Sequence, residues 1–446
     1  MIYPKSSVWK KSLVLLAFSA TRRDAVIAFL QTTALTSSTT SSPMAPLSAA
    51  ANLDIRTAPL SHLVHLEQQQ DDDEQDDYHL VSPTNDELPL EPGQRLVCIG
   101  DVHGDFKALE EFLTIGGVYD ANASHKNQWI GGNTILVQCG DVLDRGDQEL
   151  LCFNLLTRLS QQAATQGGHV VLLWGNHEAM NAGGMFHYTM GEEEYENAIG
   201  KRIDEQLQTE RWRMQYAGNQ PARWAAYEPG SGVLAHPLLS NMKVAVKVGR
   251  TVCVHAGLTT QHLDDYGGLR GMNEQVQNWM KQAYQPNNNL GDYESIGALV
   301  YDVQKRAQTG SERMPELLGG GAGADGPVWM RDYSSPNDVE PNNAERAQQM
   351  LDGTLFHLQA DRMVMGHTVQ RKINAALNGK AWRVDVGASR GVMNGTPEVL
   401  EVVATQDGEE VVSVLTKRGK VPAEERLVGR PVAAKLASAV SMMLQG

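Results

Sequence analysis

Arg95-Leu96-Val97-Cys98-Ile99-Gly100-Asp101-Val102-His103-Gly104 is an apolar run that ends abruptly in a polar cluster flanked by glycines. A short apolar run bounded by turn residues, without helical spacing, reads as a buried strand. Asp101 and His103 are two positions apart, so an extended chain carries both side chains on one face. The glycines let the backbone turn sharply and leave room for an ion or a phosphate. Next, Phe106 to Ile115 has the spacing of an amphipathic helix and stops at Gly116–Gly117.

The pattern repeats. Thr134 to Gly140 reads as a second strand ending in Gly140-Asp141-Val142-Leu143-Asp144-Arg145-Gly146, with a helix from Gln148 to about Gln166. His169 to Gly175 is a third strand, ending in Gly175-Asn176-His177-Glu178. Strands alternating with helices predict a βαβαβ core with parallel strands, whose adjacent carboxyl ends bring the three clusters together. Further on, Gly249–Arg250, Asn378–Gly379 and Asp407–Gly408 each sit between apolar runs and predict hairpins. His255-Ala256-Gly257 and Gly366-His367-Thr368 close two more strands. The expected fold class is therefore α/β, a mixed β-sandwich flanked by helices, with a last amphipathic helix over Val432 to Leu444.

A lone histidine at a strand end is usually structural, and Gly-Asp pairs are common turns. Five clusters rich in Asp, His or Asn, each following an apolar strand, are another matter. Buried carboxylates and imidazoles without partners are costly, so their convergence points to a metal site.

The motifs Asp101-Val-His103-Gly, Gly-Asp141-Val-Leu-Asp144-Arg145-Gly, Gly-Asn176-His177-Glu178, His255-Ala-Gly and Gly-His367-Thr resemble the phosphoprotein phosphatase (PPP) superfamily, within the calcineurin-like metallophosphoesterases. The branch most resembled is the Shewanella-like phosphatases. The resemblance covers about residues 95 to 405 and implies a calcineurin-like αββα sandwich with two divalent metal ions, Mn²⁺ and/or Fe or Zn. It implies that Asp101, His103 and Asp141 hold one metal, with Asp141 bridging to a second held by Asn176, His255 and His367. It further implies that a metal-bridging water attacks a phosphomonoester in line. His177 would then protonate the departing oxygen, with Asp144 orienting it, and Glu178 would give support from behind. Arg145 would bind the substrate phosphate. Trp329-Met330-Arg331-Asp332-Tyr333 is similar to the segment that supplies a second phosphate-binding arginine, here Arg331.

The implied substrate is a phosphorylated protein, at Ser/Thr or Tyr. His255-Ala256-Gly257 and Leu173-Trp174-Gly175 depart from typical Ser/Thr members and fit the Shewanella-like branch, which includes enzymes acting on phosphotyrosine. The competing readings are a small-molecule or nucleotide metallophosphatase, such as a dinucleoside polyphosphate hydrolase, and an inactive scaffold of the same fold. The stretch Glu192 to Trp224 is charged, aromatic and helical in its pattern, and the insert Met185 to His236 that contains it reads equally as a lid or as packing.

Composition bounds the rest. The chain of 446 residues carries a net charge of −15, which argues against nucleic acid and anionic lipid as partners. Residues 1–60 read as a targeting leader: basic, rich in Ser, Thr and Ala, with the run Ser12 to Ala20 too short to span a bilayer. A plastid is the first destination expected, with mitochondrion or cytoplasm as alternatives. Residues 61–90 read as an acidic, Gln/Asp-rich linker, and residues 91–446 as the catalytic domain. Of the four cysteines, Cys98 and Cys139 are expected on opposite faces if Asp101 and Asp141 align, which disfavours a disulfide between them.

Overall fold

The computed structural model describes residues 78–190, 193–198, 221–230, 232–281, 314–319 and 325–429. All of them lie in the compact unit Pro59–Gly446. The leader, residues 61–77 and the helix expected over Val432 to Leu444 lie outside the described residues.

Two six-stranded sheets face each other. The first has the order β12-β11-β10-β2-β3-β4, with β2 (Arg95–Ile99), β3 (Ile135–Gln138) and β4 (His169–Leu172) parallel. An antiparallel meander of β10 (Val399–Ala404), β11 (Glu410–Thr416) and β12 (Gly419–Pro422) extends it beyond β2. The second has the order β1-β5-β6-β7-β9-β8. Its strands are β1 (Glu87–Leu88), β5 (Ala245–Val248), β6 (Thr251–Val254), β7 (Arg362–Met365), β8 (Asn374–Ala376) and β9 (Ala381–Arg383). The β5–β6, β8–β9 and β10–β11 hairpins are those expected from their glycine turns.

Helices cover the outer faces. α1 (Phe106–Ile115) and α2 (Glu149–Thr165) follow β2 and β3. α1 starts where Asp105 accepts a hydrogen bond from the Ala108 amide (3.1 Å), and it buries Leu109, Phe112 and Leu113. Such a cap contributes about 1 kcal/mol. α3 (Asn176–Ala182) continues from β4, and two short helices of the intervening stretch are α4 (Glu193–Ala198) and α5 (Pro221–Tyr227). α6 (Thr260–Tyr266), α7 (Gly268–Lys281) and α8 (Ala344–His357) pack on the second sheet's side. The result is the mixed αββα sandwich expected. Among the described residues no helix is long and apolar enough to cross a membrane.

Two expectations need correcting. The stretch 61–90 is not linker throughout: Tyr78, Leu80 and Leu88 are buried in the core, and β1 pairs in parallel with β5. The Gln/Asp composition masked a segment whose few apolar residues are the ones that dock. The strands of Cys98 and Cys139 also pair in a different register from the one that aligns Asp101 with Asp141. Cys98 lies opposite Val137, so Cys139, two residues on, has the same parity as Cys98. The thiol nearest Cys98 is instead Cys253 of the facing sheet, Sγ to Sγ 3.7 Å. All four cysteines are free and buried.

A candidate dinuclear metal centre beside a histidine–aspartate pair

The parallel strands β2, β3 and β4 end at one edge of the first sheet, and β6 and β7, also parallel, end at the facing edge of the second. Bonds between these ends join the sheets. The His367 amide donates to both carboxylate oxygens of Asp101 (3.2 Å each), and His255 Nδ1 meets the Cys139 carbonyl (2.7 Å). Close approach is possible because glycines occupy the crossing points. A Cβ at Gly175 would run into Asp141 Oδ1, and one at Gly366 into Asp101 Oδ1.

Asp141 is the hub. Its Oδ2 lies 3.3 Å from His255 Nε2, and 3.9 Å from both His103 Nε2 and His177 Nε2. The Asn176 amide oxygen lies 3.0 Å from His255 Nε2 and 2.9 Å from His367 Nδ1. Asp101 stands slightly back, its Oδ2 4.0 Å from His103 Nε2. The six residues expected to hold metal are therefore brought together, and two tight donor groups share Asp141. One group is His103, Asp141 and His177; the other is Asp141, His255 and His367.

The chemistry of the donor set fits two divalent cations. Three imidazoles each give one ring nitrogen to a backbone carbonyl: His103 Nδ1 to Leu143 (2.9 Å), His255 Nδ1 to Cys139, and His367 Nε2 to Trp329 (3.0 Å). A carbonyl only accepts, so that nitrogen carries the proton and the other presents a lone pair to the centre. Burial pulls His103 down to about 4 and His367 to about 2, which favours the neutral form that ligation requires. At His255 burial is outweighed by the Asp141 carboxylate, which raises the imidazole above its ordinary value. The carboxylates carry the opposite stress. Burial, with Asp385 and Asp141 close by, pushes Asp101 far above the usual range, and burial with Asp141 pushes Glu178 up to about 7. Burial acts the same way on Asp141, but His255 and His177 outweigh it and hold this carboxyl well below the usual range. Such a concentration of buried acid is what a cation relieves.

His177 stands apart from the other imidazoles. Its Nδ1 bonds a carboxylate, Asp144 Oδ2, at 2.6 Å, and its Nε2 lies 3.5 Å from Arg145 Nη2. Burial pulls His177 down, yet Asp141 and Asp144 outweigh it and raise this histidine above its ordinary value. Arg145 Nε is buried without a hydrogen-bond partner. Arg331 lies at the rim, exposed, donating from Nη1 to Thr368 Oγ1 (2.7 Å) and to the His367 carbonyl (3.3 Å). The backbone is held tightly here: His103, Asp141, Asp144, Arg145 and His367 all adopt left-handed φ between 48° and 67°. Each such residue costs of order 1–3 kcal/mol and persists only where its surroundings over-determine it, as they do at functional sites.

With this geometry established, likeness to known proteins becomes informative. The profile of the calcineurin-like phosphoesterase family matches residues 94–305. Shewanella-like protein phosphatase 2 of Arabidopsis thaliana is 33% identical over 338 residues, covering 70% of this chain and 76% of that relative. The chain belongs to the Shewanella-like protein phosphatases, within the calcineurin-like phosphoesterases. An uncharacterised protein of Schizosaccharomyces pombe is 28% identical over 327 residues, 73% of this chain and 81% of its own. A crystal structure of a cold-active protein-tyrosine phosphatase from a psychrophilic Shewanella superposes with a TM-score of 0.52. It covers 78% of this chain and 83% of its own at 20% identity, a likeness of fold.

In this Shewanella-like phosphatase one residue reaches further than its motif implies, and two more, Asp385 and Tyr188, lie outside the motifs. Glu178 accepts from four backbone amides, those of Asp141 (2.8 Å), Val142 (2.9 Å), Leu143 (3.0 Å) and Gly175 (2.9 Å), and so shapes the loop that carries the hub. Its supporting role was expected; its reach was not. Asp385 was overlooked, although it lies two residues beyond strand β9 and accepts from the Gly387 amide (2.8 Å). Tyr188, 48% exposed, lays its ring 5.2 Å from His177 and 5.1 Å from the Arg145 guanidinium. No motif signals it.

Proposed function

We propose that this phosphatase hydrolyses phosphomonoesters on protein side chains, with His177 as general acid and phosphotyrosine as the preferred substrate. The junction at His177 carries the reading: Nδ1 is fixed by Asp144, while Nε2 faces both the hub and Arg145. Asp101, His103 and Asp141 would hold one cation, and Asp141, Asn176, His255 and His367 the other. Imidazole with hard oxygen donors suits Mn, Fe or Zn. When bound, two such cations polarise the phosphoryl oxygens and lower the pKa of water at the site.

The side chains of the protein do the rest. Arg145 and Arg331 offer planar forks to the phosphoryl oxygens, and the partnerless Nε of Arg145 is a donor waiting for such an acceptor. Asp144 accepts from Nδ1–H, which leaves Nε2 to carry the proton given to the departing oxygen. His177 has the geometry of a ligand as well, but a guanidinium 3.5 Å from Nε2 opposes another cation there. Tyr188 supports the phosphotyrosine preference. Its half-exposed ring packs 5.2 Å from that of the proposed general acid, and an aromatic leaving group can stack on it. The relatives' names, a protein phosphatase and a protein-tyrosine phosphatase, point the same way.

The test is hydrolysis of matched phosphotyrosine and phosphoserine peptides and of a dinucleoside polyphosphate, with Mn²⁺ and with chelator. Metal-dependent turnover is expected, fastest on phosphotyrosine and absent in Asp141→Asn. Turnover on the nucleotide alone would move the assignment to a small-molecule metallophosphatase. No turnover with metal bound would make the chain a scaffold. We also propose delivery to an organelle, a plastid first, on the leader's basic Ser/Thr-rich composition; a fluorescent fusion of residues 1–60 that remains in the cytosol would overturn it.

A further inference from the structure

Behind His177, away from the metal ligands, lies a second buried polar cluster. Asp144 uses one oxygen for His177 and the other, Oδ1, to accept from Asn181 Nδ2 (3.0 Å). The Asn181 side-chain oxygen in turn accepts from Arg223 Nη1 (2.8 Å). Arg223 also forms a two-pronged ion pair with Glu149, through Nη1 (3.2 Å) and through a close contact from Nη2. Its Nη1 lies 3.6 Å from Asp144 Oδ1. Glu149 accepts from the Asp144 backbone amide and, at 2.7 Å, from the Tyr195 hydroxyl, which meets the Tyr227 hydroxyl at 2.6 Å. The guanidinium stacks 4.3 Å from the Tyr195 ring. Arg223 is 1% exposed, and Asp144, Glu149 and Asn181 are equally buried.

Donor and acceptor chemistry gives this cluster a direction. A guanidinium can only donate, so it forces the Asn181 amide to present oxygen to Arg223 and nitrogen to Asp144. That orientation occupies Asp144 Oδ1 and leaves Oδ2 for His177. At the same time Glu149, held by the two guanidinium prongs, fixes the Asp144 amide in its left-handed conformation (φ 67°). Side chain and backbone of Asp144 are thus both set by one residue, contributed by α5. Glu149 stays buried beside Asp144 because the same cation offsets both carboxylates.

We propose that Arg223 is a positioning residue for proton delivery: acting through Asn181, Glu149 and Asp144, it sets the orientation of the His177 imidazole, so the stretch between the third and fourth motifs completes the acid from behind. This rests on the general-acid role assigned to His177.

The experiment compares 4-nitrophenyl phosphate, whose leaving group departs without a proton, with phenyl phosphate, whose leaving group needs one. The ratio of their kcat/KM values is measured in the full-length protein and does not depend on the fraction of enzyme that is folded. In Asp144→Asn the ratio is expected to rise about 10-fold or more in favour of the nitrophenyl ester, because general acid catalysis is worth about 10²–10⁴-fold. Arg223→Met is expected to raise it in the same direction. Arg223→Lys keeps the charge but not the fork, and its ratio is expected to fall between wild type and Asp144→Asn; it carries the test if the Met variant does not fold. Slower turnover of both esters at an unchanged ratio in the Arg223 variants, with a raised ratio in Asp144→Asn, would overturn the positioning role alone. An unchanged ratio in Asp144→Asn itself would remove the acid role of His177, and the inference with it.

Discussion

The two sides of His177 are built differently. In front, Asp141 and its partners sit at the ends of five strands, each side chain within four residues of the end of a run of buried β-structure. Behind, Asp144, Glu149, Asn181 and Arg223 come from a loop and three helices, and no two of them share an element. The front is held by backbone: carbonyls fix the imidazoles of His103, His255 and His367, and amides fix Glu178. The rear is held mainly by side chain on side chain, with the Asp144 amide donating to Glu149 as a backbone anchor. A site can therefore be rigid for two reasons, and the two should fail differently.

The largest effect should come from breaking the front. Asp141→Asn is expected to abolish metal-dependent turnover, a loss of at least ~10³-fold, since both donor groups share this residue. Thermal unfolding gives a check free of turnover: Mn²⁺ should raise the wild-type Tm, about 2.7 kcal/mol of stabilisation at 100 times Kd, and leave the Asn variant nearly unmoved. Next comes the dyad. Asp144→Asn should cost about 10²–10⁴-fold in kcat on phosphotyrosine peptide while keeping the Mn²⁺-dependent rise in Tm, which separates rear from front. Glu178→Gln should cost about 10–100-fold in metal affinity, as for residues that orient ligands from behind, read by Mn²⁺ titration calorimetry.

How much of this was legible follows from the same contrast. The strands β2, β3 and β4, the helix Phe106–Ile115 and the convergence of the six candidate metal-holding residues could be read because each motif lies beside an apolar run. The rear could not. Arg223 lies 74 residues from Glu149 in sequence and sits in a charged stretch whose helical pattern gives no sign of which side chain turns inward. Tyr188 and β1 were missed for a related reason: a single docking residue, or two, leaves no period. The cysteine alignment failed because matching polar clusters need not be in register. Asp101 and Asp141 do the same work one residue out of step, with Ile99 opposite Gln138.

Smaller effects refine the comparison. Tyr188→Ala should slow phosphotyrosine peptides about 5-fold, a loss of ~1 kcal/mol, and phosphoserine peptides less; equal losses would remove the stacking role. The rear should also titrate. Glu194 in α4 accepts from the Leu150 and Leu151 amides, and burial pushes it up to about 7. The folded state binds this proton more tightly than the unfolded one, so the contribution of Glu194 to stability is full below about 4.5 and is lost as pH rises through about 7. Melting curves from pH 5 to 8 should therefore show a shallower decline in Glu194→Gln than in wild type.

The bond between Asp101 and the His367 amide spans 266 residues. A ribosome that has released the first three motifs has produced a chain with four of the six candidate metal-holding residues and without His255 and His367 of the second sheet. Only after β7 emerges and the second sheet closes can the centre assemble. Hydrolytic competence in this protein is thus a late event in its synthesis, and catalysis itself reports that the sandwich has closed.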